Sequence, residues 1–212
     1  MKDNKGFSLI ELVIVLAIMA ALSGTIFYSF TLATGQYARE CANNLSTVLD
    51  KEKNYALTRS ASVDCYVEIV KDGNSYVARY YVPESAIADG TDSKNDGADW
   101  LFAEEYKIGK GRVTVTYKIG SGSEITIDDN TSVKFVYNRI SGAMKAIVAS
   151  DGSEETEAGG VRRGRIPLET DSDYASVKNL KGEEVKISVG YGKKYEILLY
   201  SGTGKHVLSK VD

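Results

Sequence analysis

The most hydrophobic stretch of the sequence lies near its start. After a short polar segment with two lysines, Phe7–Leu32 is dominated by apolar residues, and Leu12–Leu22 contains no polar residue at all. A helix over Phe7–Leu32 would be about 39 Å long at ~1.5 Å per residue, which exceeds the ~30 Å hydrocarbon core of a bilayer. The pattern therefore predicts a membrane-spanning helix, with Glu11 as a charge inside its first turns.

Apolar residues continue beyond this span, but at helical spacing. The stripe consists of Ala38, Cys41, Ala42, Leu45, Val48, Leu49, Tyr55 and Ala56, with Glu52 as its one polar interruption. We expect an amphipathic helix that ends near Arg59 and Ser60 and packs its stripe on the protein's own sheet. Gly24, between Ser23 and Thr25, is the weakest point of the whole helix.

From Val63 onward the periodicity changes to two, which is typical of strands with one buried face. The clearest alternation is Arg112–Ile119, and Lys71–Ser75 has the composition of a hairpin turn. The predicted strands are Val63–Ile69, Tyr76–Val82, Arg112–Ile119, Glu124–Asp128, Ser132–Tyr137, Ala143–Ala149, Val185–Val189, Tyr195–Tyr200 and His206–Val211. The predicted fold class is α+β, a long N-terminal helix, membrane-spanning in its first half, packed on a mainly antiparallel β-sheet.

The charge of Glu11 needs a reason, because a carboxylate inside a membrane helix costs about 2.5–3.5 kcal/mol on insertion scales. The segment Lys5-Gly6-Phe7-Ser8-Leu9-Ile10-Glu11-Leu12 resembles the type III signal of type IV pilins and type II secretion pseudopilins. The resemblance implies that a membrane-bound prepilin peptidase cuts between Gly6 and Phe7 and N-methylates Phe7. It also implies that Glu11 engages the N-terminus of a neighbouring subunit during filament assembly. A secretory signal cleaved near Ser23-Gly24, or a plain signal anchor, leaves Glu11 unexplained.

The hydrophobic pattern and the resemblance together divide the chain into four parts. We expect a leader peptide at 1–6, a transmembrane assembly helix at 7–32, its amphipathic continuation at 33–60 and a β-rich head at 61–212. Because Lys2 and Lys5 precede the span and the next basic residue is Arg39, the N-terminus is expected in the cytoplasm and the head outside. The expected partners are other pilin subunits through the N-terminal helix, the prepilin peptidase, and membrane lipid before assembly.

The head is loosely similar to H-type minor pseudopilins and pilus-tip pilins. The similarity lies in the hairpin at Ser62–Val82 and in the closing segment Tyr195–Gly204. We therefore expect a minor pilin or pseudopilin of a type IV pilus or type II secretion-like filament. The alternatives are a major pilin of the same machinery, a DNA-binding competence pilin and an ordinary membrane-anchored enzyme.

The composition argues against catalysis and bound cofactors. The net charge of −3 gives no reason to expect an anionic partner, and the sequence contains a single histidine, His206. With no metal-spaced Cys/His set and no nucleophile motif, we expect no cofactor, no metal site and no enzymatic activity. A pocket holding His206 beside a serine and a carboxylate would reopen the enzyme hypothesis. Four Gly-x-Gly pairs precede strand-like sequence and are interpreted as turns, not phosphate loops: Gly109–Gly111, Gly120–Gly122, Gly190–Gly192 and Gly202–Gly204.

Two long polar segments, Ser85–Asp99 and Ser150–Gly164, are predicted to be loops. The aspartates of the first match only a fragment of an EF-hand, so a solvated loop is favoured over a calcium site. The candidate DNA contacts are Arg162, Arg163 and Arg165. Glutamates of the same loop offer them salt bridges instead, and we expect no nucleic-acid partner.

The two cysteines are predicted not to form a disulfide. If the helix ends near Arg59, the length of helix between Cys41 and Arg59 exceeds the length that the following strand can cover back to Cys65. The Cα atoms of the two cysteines therefore stay more than ~7 Å apart, which is too far for a disulfide. Both residues lie on apolar stripes and are expected to be buried small hydrophobes.

Overall fold

The computed structural model of the chain describes residues 9–58, 65–83, 100–110, 112–150, 155–156, 162–164, 177–180 and 182–211. Its first element is a single continuous helix, α1, at Leu9–Thr58, with 50 residues. At ~1.5 Å per residue this helix is about 75 Å long. It continues through Gly24 without interruption, and the predicted end near Arg59 lies just outside the described residues.

The described part of the head consists of strands joined by turns. They are β1 (Cys65–Asp72), β2 (Ser75–Pro83), β3 (Trp100–Lys110), β4 (Thr114–Ile119), β5 (Ile125–Thr126), β6 (Ser132–Tyr137), β7 (Met144–Ser150), β8 (Glu155–Thr156), β9 (Arg162–Gly164), β10 (Val177–Asn179), β11 (Glu184–Tyr191), β12 (Lys193–Tyr200) and β13 (Lys205–Val211). The α+β class with an N-terminal helix and antiparallel strands is confirmed.

The strands form two sheets, whereas the sequence pattern was interpreted as one. The larger has the order β10-β7-β6-β1-β2-β3-β9-β8, and the smaller has the order β13-β12-β11-β4-β5. All of their pairings are antiparallel. Along the described strands, the chain passes from one sheet to the other after β3, after β5 and after β10, and β4 pairs with the distant β11. Alternation of side chains reveals which face of a strand is buried but not which strand lies beside it, so the division was not predictable from period alone.

Strand β3 was not expected from the sequence. It pairs with β2 along its length, and the register shifts twice, between Tyr76 and Val77 and between Tyr80 and Tyr81. Such irregularities insert an extra residue into one strand and interrupt its alternation, which explains why the period-two pattern was absent. Gly109 lies inside β3 and Gly190 inside β11, so the turn interpretation was wrong for these two glycines.

The predicted loop Ser150–Gly164 also contains strand structure. Ser150 ends β7, and the short strands β8 and β9 pair with each other, while β9 also pairs with β3. The other predicted loop, Ser85–Asp99, lies outside the described residues, and so does any calcium site within it.

The helix stripe predicted from the sequence forms part of the core. Its members are buried, except that Tyr55 is half-buried, and Glu52 is only 1% exposed. One hydrophobic cluster joins this stripe to side chains from both sheets, so the second half of α1 holds the two sheets together. Burial of this stripe, rather than intrinsic helix propensity, is the main source of stability for such a helix.

Neither cysteine forms a disulfide, and both are buried, as predicted. Burial raises the pKa of the Cys41 thiol to about 12, with a smaller contribution from the neighbouring carboxylate of Glu40. Cys41 also marks a close approach between helix and sheet. A Cβ on Gly109 would lie 2.7 Å from Cys41 Sγ, so glycine is required where α1 crosses β3.

Candidate functional site

The first half of α1 is not covered by any described part of the head. The segment Leu9–Ile26 has a mean hydropathy of 2.4, and none of it is buried by the rest of the chain. Its large apolar side chains are between 49% and 81% exposed, at Val15 and Leu9 respectively. An apolar surface of this extent marks contact with a membrane or with other protein chains. The length is also sufficient to cross a bilayer core.

Glu11 lies in the first turn of the described helix and is exposed. Its neighbours one turn away, Ile14 and Val15, are exposed apolar residues, so the carboxylate interrupts an otherwise hydrophobic surface. The N-terminal end of a helix favours a negative charge through the alignment of its peptide dipoles. The predicted cleavage and methylation positions, Gly6 and Phe7, lie outside the described residues.

The hydroxyl side chains near Gly24 form their hydrogen bonds within the helix itself. Ser23 Oγ donates to the carbonyl of Met19 at 2.7 Å, and Thr25 Oγ1 donates to Leu22 at 2.8 Å. Ser29 Oγ donates in turn to the carbonyl of Thr25 at 2.9 Å. These bonds allow hydroxyl groups to lie in an apolar helix without an unpaired donor.

This part of the helix also has a shallow depression on one face. Thr25, Ile26, Ser29 and Ala33 line this depression of about 320 Å³. Small residues such as Thr25, Ser29 and Ala33 allow another helix to approach closely, so this face suits helix–helix packing. Gly24 lies on the opposite side of the helix, because successive residues are rotated by about 100°, and no described atom lies within 4 Å of a Cβ built on it.

His206 lies beside a serine and a carboxylate, which is the combination that would reopen the enzyme hypothesis. Its Nε2 is 2.7 Å from Ser46 Oγ and 3.7 Å from Asp50 Oδ2. A catalytic triad needs the serine and the carboxylate on opposite ring nitrogens, so that the carboxylate orients a base facing the nucleophile. Here both contacts are made by Nε2, and the His206 side chain is only 6% exposed.

The electrostatics of this cluster fit a structural contact. Burial lowers the pKa of His206, and the positive charge of Lys53 lowers it further, although Asp50 acts in the opposite direction. The cluster joins β13 to α1 across the core boundary. It has neither the geometry nor the access that nucleophilic catalysis requires.

Other candidate chemistry is limited in the part of the chain that the structure describes. Within it, no group of three His, Cys, Asp or Glu side chains is placed to hold a metal ion. Arg162 and Arg163 lie in β9, where Arg163 is opposite Glu155 of β8, whereas Arg165 lies outside the described residues. The structure therefore brings two of the three candidate DNA contacts onto one short strand, beside a glutamate.

A buried row of charges crosses the larger sheet, and the sequence pattern did not predict it. Glu68 is opposite Arg79 on one side and Lys134 on the other. All three are under 9% exposed. Arg79 Nε contacts Glu105 Oε2 at 3.1 Å, and Ser132 Oγ donates to Glu68 Oε1 at 2.6 Å. Charged residues at alternating strand positions usually face solvent, so this row can be recognised only once the neighbouring strands are known. Opposite charges on neighbouring strands favour the observed register.

Comparison with known proteins bears on the N-terminal segment alone. The profile of the prokaryotic N-terminal methylation motif matches residues 1–27. No curated protein and no solved structure matches the chain. The motif supports a type IV pilin-like prepilin, which implies processing by a prepilin peptidase and assembly with other pilins. The exposed apolar helix that follows it suits a membrane-anchored protein of this kind.

Proposed function

We propose that this protein is a minor pilin or pseudopilin, a structural subunit of a type IV pilus or type II secretion-like filament. The observation that carries the proposal is the methylation motif at residues 1–27 in front of Leu9–Ile26, an apolar helix with none of its surface buried. Such a surface needs lipid before assembly and the helices of other subunits afterwards. The lysines of the leader favour a cytoplasmic N-terminus and an external head.

Within this family of functions, the loose similarity of the head to H-type minor pseudopilins favours a minor subunit. A major pilin of the same machinery is the alternative. Quantitative mass spectrometry of purified filaments distinguishes them, because a minor subunit is present in far fewer copies than the shaft protein. A copy number equal to that of the shaft would identify a major pilin.

Processing is the first test of the proposal. We expect the mature chain to begin at Phe7 with an N-methyl group, since Gly6 offers a peptidase an unobstructed backbone between a charged leader and an apolar helix. Mass spectrometry of the N-terminal peptide measures both the start and the added methyl group. A mature start near Ser23-Gly24 would instead show an ordinary secretory signal, and the filament proposal would be wrong.

Assembly is the second test, and it concerns Glu11. In our proposal the carboxylate pairs with the N-terminal amine of Phe7 in a neighbouring subunit, where a low dielectric strengthens their attraction. Breaking a buried ion pair costs about 3–5 kcal/mol, so we expect Glu11→Ala to lower incorporation into filaments by at least about tenfold. Cleavage and membrane level should stay the same, because removal of a charge from the span eases membrane insertion. The head should also stay folded, because it begins far along the chain.

The control for this variant is Glu40→Ala, which removes an exposed carboxylate from the same helix outside the apolar span. Its incorporation should equal that of the wild type. A pair between Phe7 and Glu11 within one chain, one helical turn apart, would help only the insertion of the monomer. Normal incorporation of Glu11→Ala into sheared filaments, with normal cleavage, would therefore exclude the intersubunit role.

A further inference from the structure

One end of the head faces the membrane span, and the turn between β11 and β12 contacts α1 at this end. A Cβ on Gly192 would lie 2.5 Å from Thr34 Oγ1, and a Cβ on Gly35 would lie 2.8 Å from Lys193 Cδ. Gly192 also has a φ of 71°, which favours glycine. The turn is thus held against the first residues of α1 that contact the head, with the side chain of Lys193 along the helix.

The turn between β3 and β4 reaches the same end. Lys110 Nζ lies 4.8 Å from the ring centroid of Tyr37, less than one helical turn above Thr34. Arg112 comes two residues before Thr114, which pairs with Gly190 near the end of β11. The exposed cations of these two turns form what we call the basic collar, which consists of Lys110, Arg112, Lys193 and Lys194.

The acidic side chains around this end are largely compensated. Asp129 contacts Lys71 at 3.2 Å and Asp72 contacts Arg79 at 3.4 Å. Glu196 contacts Lys194 at 3.5 Å but also Lys186 at 3.2 Å. The other acidic residues near this end are Glu40, which follows Arg39 on the helix, Asp128, which accepts hydrogen bonds within its own turn, and Glu124, which contacts Thr116. Asp212 follows Val211, which lies opposite Lys194. The four cations of the collar and Arg39 outnumber these four carboxylates, so the excess of positive charge at this end is small.

The collar is close enough to a membrane surface to interact electrostatically with charged headgroups. Thr34 is about 12 Å beyond Ile26 along the helix axis, and the headgroup layer is about 5–7 Å thick on each side. The remaining gap of about 5–7 Å is shorter than the ~8 Å Debye length at physiological ionic strength. Tyr28, which is 66% exposed, lies between the span and the collar. This position corresponds to the membrane–water interface, where tyrosine is enriched.

We infer that, before assembly, the basic collar rests on the headgroups of anionic phospholipids at the membrane surface and so sets the height and tilt of the head. This inference depends on the membrane-anchored state in the proposed function. Lipid is favoured over nucleic acid because the span tethers the collar beside the bilayer and so gives headgroups a high effective concentration. The attraction between lysine, arginine and anionic lipid is electrostatic and is weakened by salt.

The test uses the full mature chain in vesicles of phosphatidylcholine alone or of phosphatidylcholine with phosphatidylglycerol. Acetylation of lysine amines, followed by mass spectrometry, measures the accessibility of each lysine. We expect Lys193 and Lys194 to react several-fold more slowly in the anionic vesicles, and added salt to restore their rates. Lys205 is the internal control, because it is exposed and lies at the other end of the β12–β13 hairpin, about 20 Å from Lys194.

Charge reversal completes the test. In the double variant Lys193→Glu with Lys194→Glu, the lipid-dependent protection of Lys110 should disappear. The matched double variant Lys118→Glu with Lys205→Glu, which changes the same charge at the far end, should keep it. Equal acetylation in both vesicle types, or equal protection of Lys205, would overturn the inference.

Two further measurements separate the possible failures. Duplex DNA added to neutral vesicles should leave Lys193 and Lys194 fully reactive, and equal protection by DNA would overturn the assignment to lipid. Alkaline extraction of the vesicles shows whether the chain is anchored. A chain that is extracted would contradict both the proposed function and the collar, whereas an anchored chain with unprotected lysines would contradict the collar alone.

Discussion

Replacement of Gly109 by alanine tests how closely α1 packs on the larger sheet. The new Cβ would lie 2.7 Å from Cys41 Sγ and 2.9 Å from Cys41 Cβ. Cys41 is fully buried, so neither side chain has space to move aside and the helix must shift on the strand. Overpacking of this kind costs about 1–3 kcal/mol. At about 2–4 °C per kcal/mol for a domain of this size, Tm should fall by about 2–12 °C.

Two other variants isolate the contact. Gly190→Ala adds the same methyl group within a strand, but no described atom lies within 4 Å of it, so its stability should be equal to or slightly above that of the wild type. Cys41→Ala removes the nearest atom, Sγ, and should recover part of the loss when combined with Gly109→Ala. The double-mutant cycle should give a coupling energy of about 0.5–3 kcal/mol.

Thermal unfolding of the mature chain in detergent provides the measurement. Near-ultraviolet circular dichroism of the tyrosines follows mainly the packing of the head, because only Tyr28 of the 14 tyrosines lies in the exposed half of the helix. If Gly109→Ala unfolds at the same temperature as Gly190→Ala, or if the cycle shows no coupling with Cys41, then Gly109 and Cys41 are not in close contact where α1 crosses β3.

Two buried groups predict how stability depends on pH. Burial lowers the pKa of His206 below its ordinary value of 6.5, so the unfolded chain binds the additional proton first and the free energy of unfolding should fall as the pH drops below about 6.5. Urea titrations should show a smaller fall for His206→Gln, and an unchanged slope would contradict this assignment. Burial also raises the pKa of Cys41 to about 12 from 9.0, so stability should fall above about pH 9, where the unfolded thiol ionises. Iodoacetamide should label Cys41 and Cys65 only after denaturant is added, and rapid labelling of the native chain would show that they are accessible.

The parts of this protein that the sequence determined by itself depend on local periodicity. The unbroken apolar run predicts the exposed span, and spacing of three to four residues predicts the buried stripe from Ala38 to Ala56, including the buried Glu52. Period two with a polar turn at Lys71–Ser75 predicts the β1–β2 hairpin, in which Gly73 has a φ of 54°. These features follow from which side of one element is apolar, and that information lies within a few consecutive residues.

Only the tertiary structure decided which elements meet. It revealed β3, whose alternation is interrupted by irregular pairing with β2, and it divided the strands into two sheets around α1. It placed His206 on Ser46, 160 positions away in the chain, and it gathered the lysines of two separate turns beside Thr34 and Tyr37. Such contacts depend on how whole surfaces fit together, and residues far apart in sequence carry no local signal of a shared neighbour.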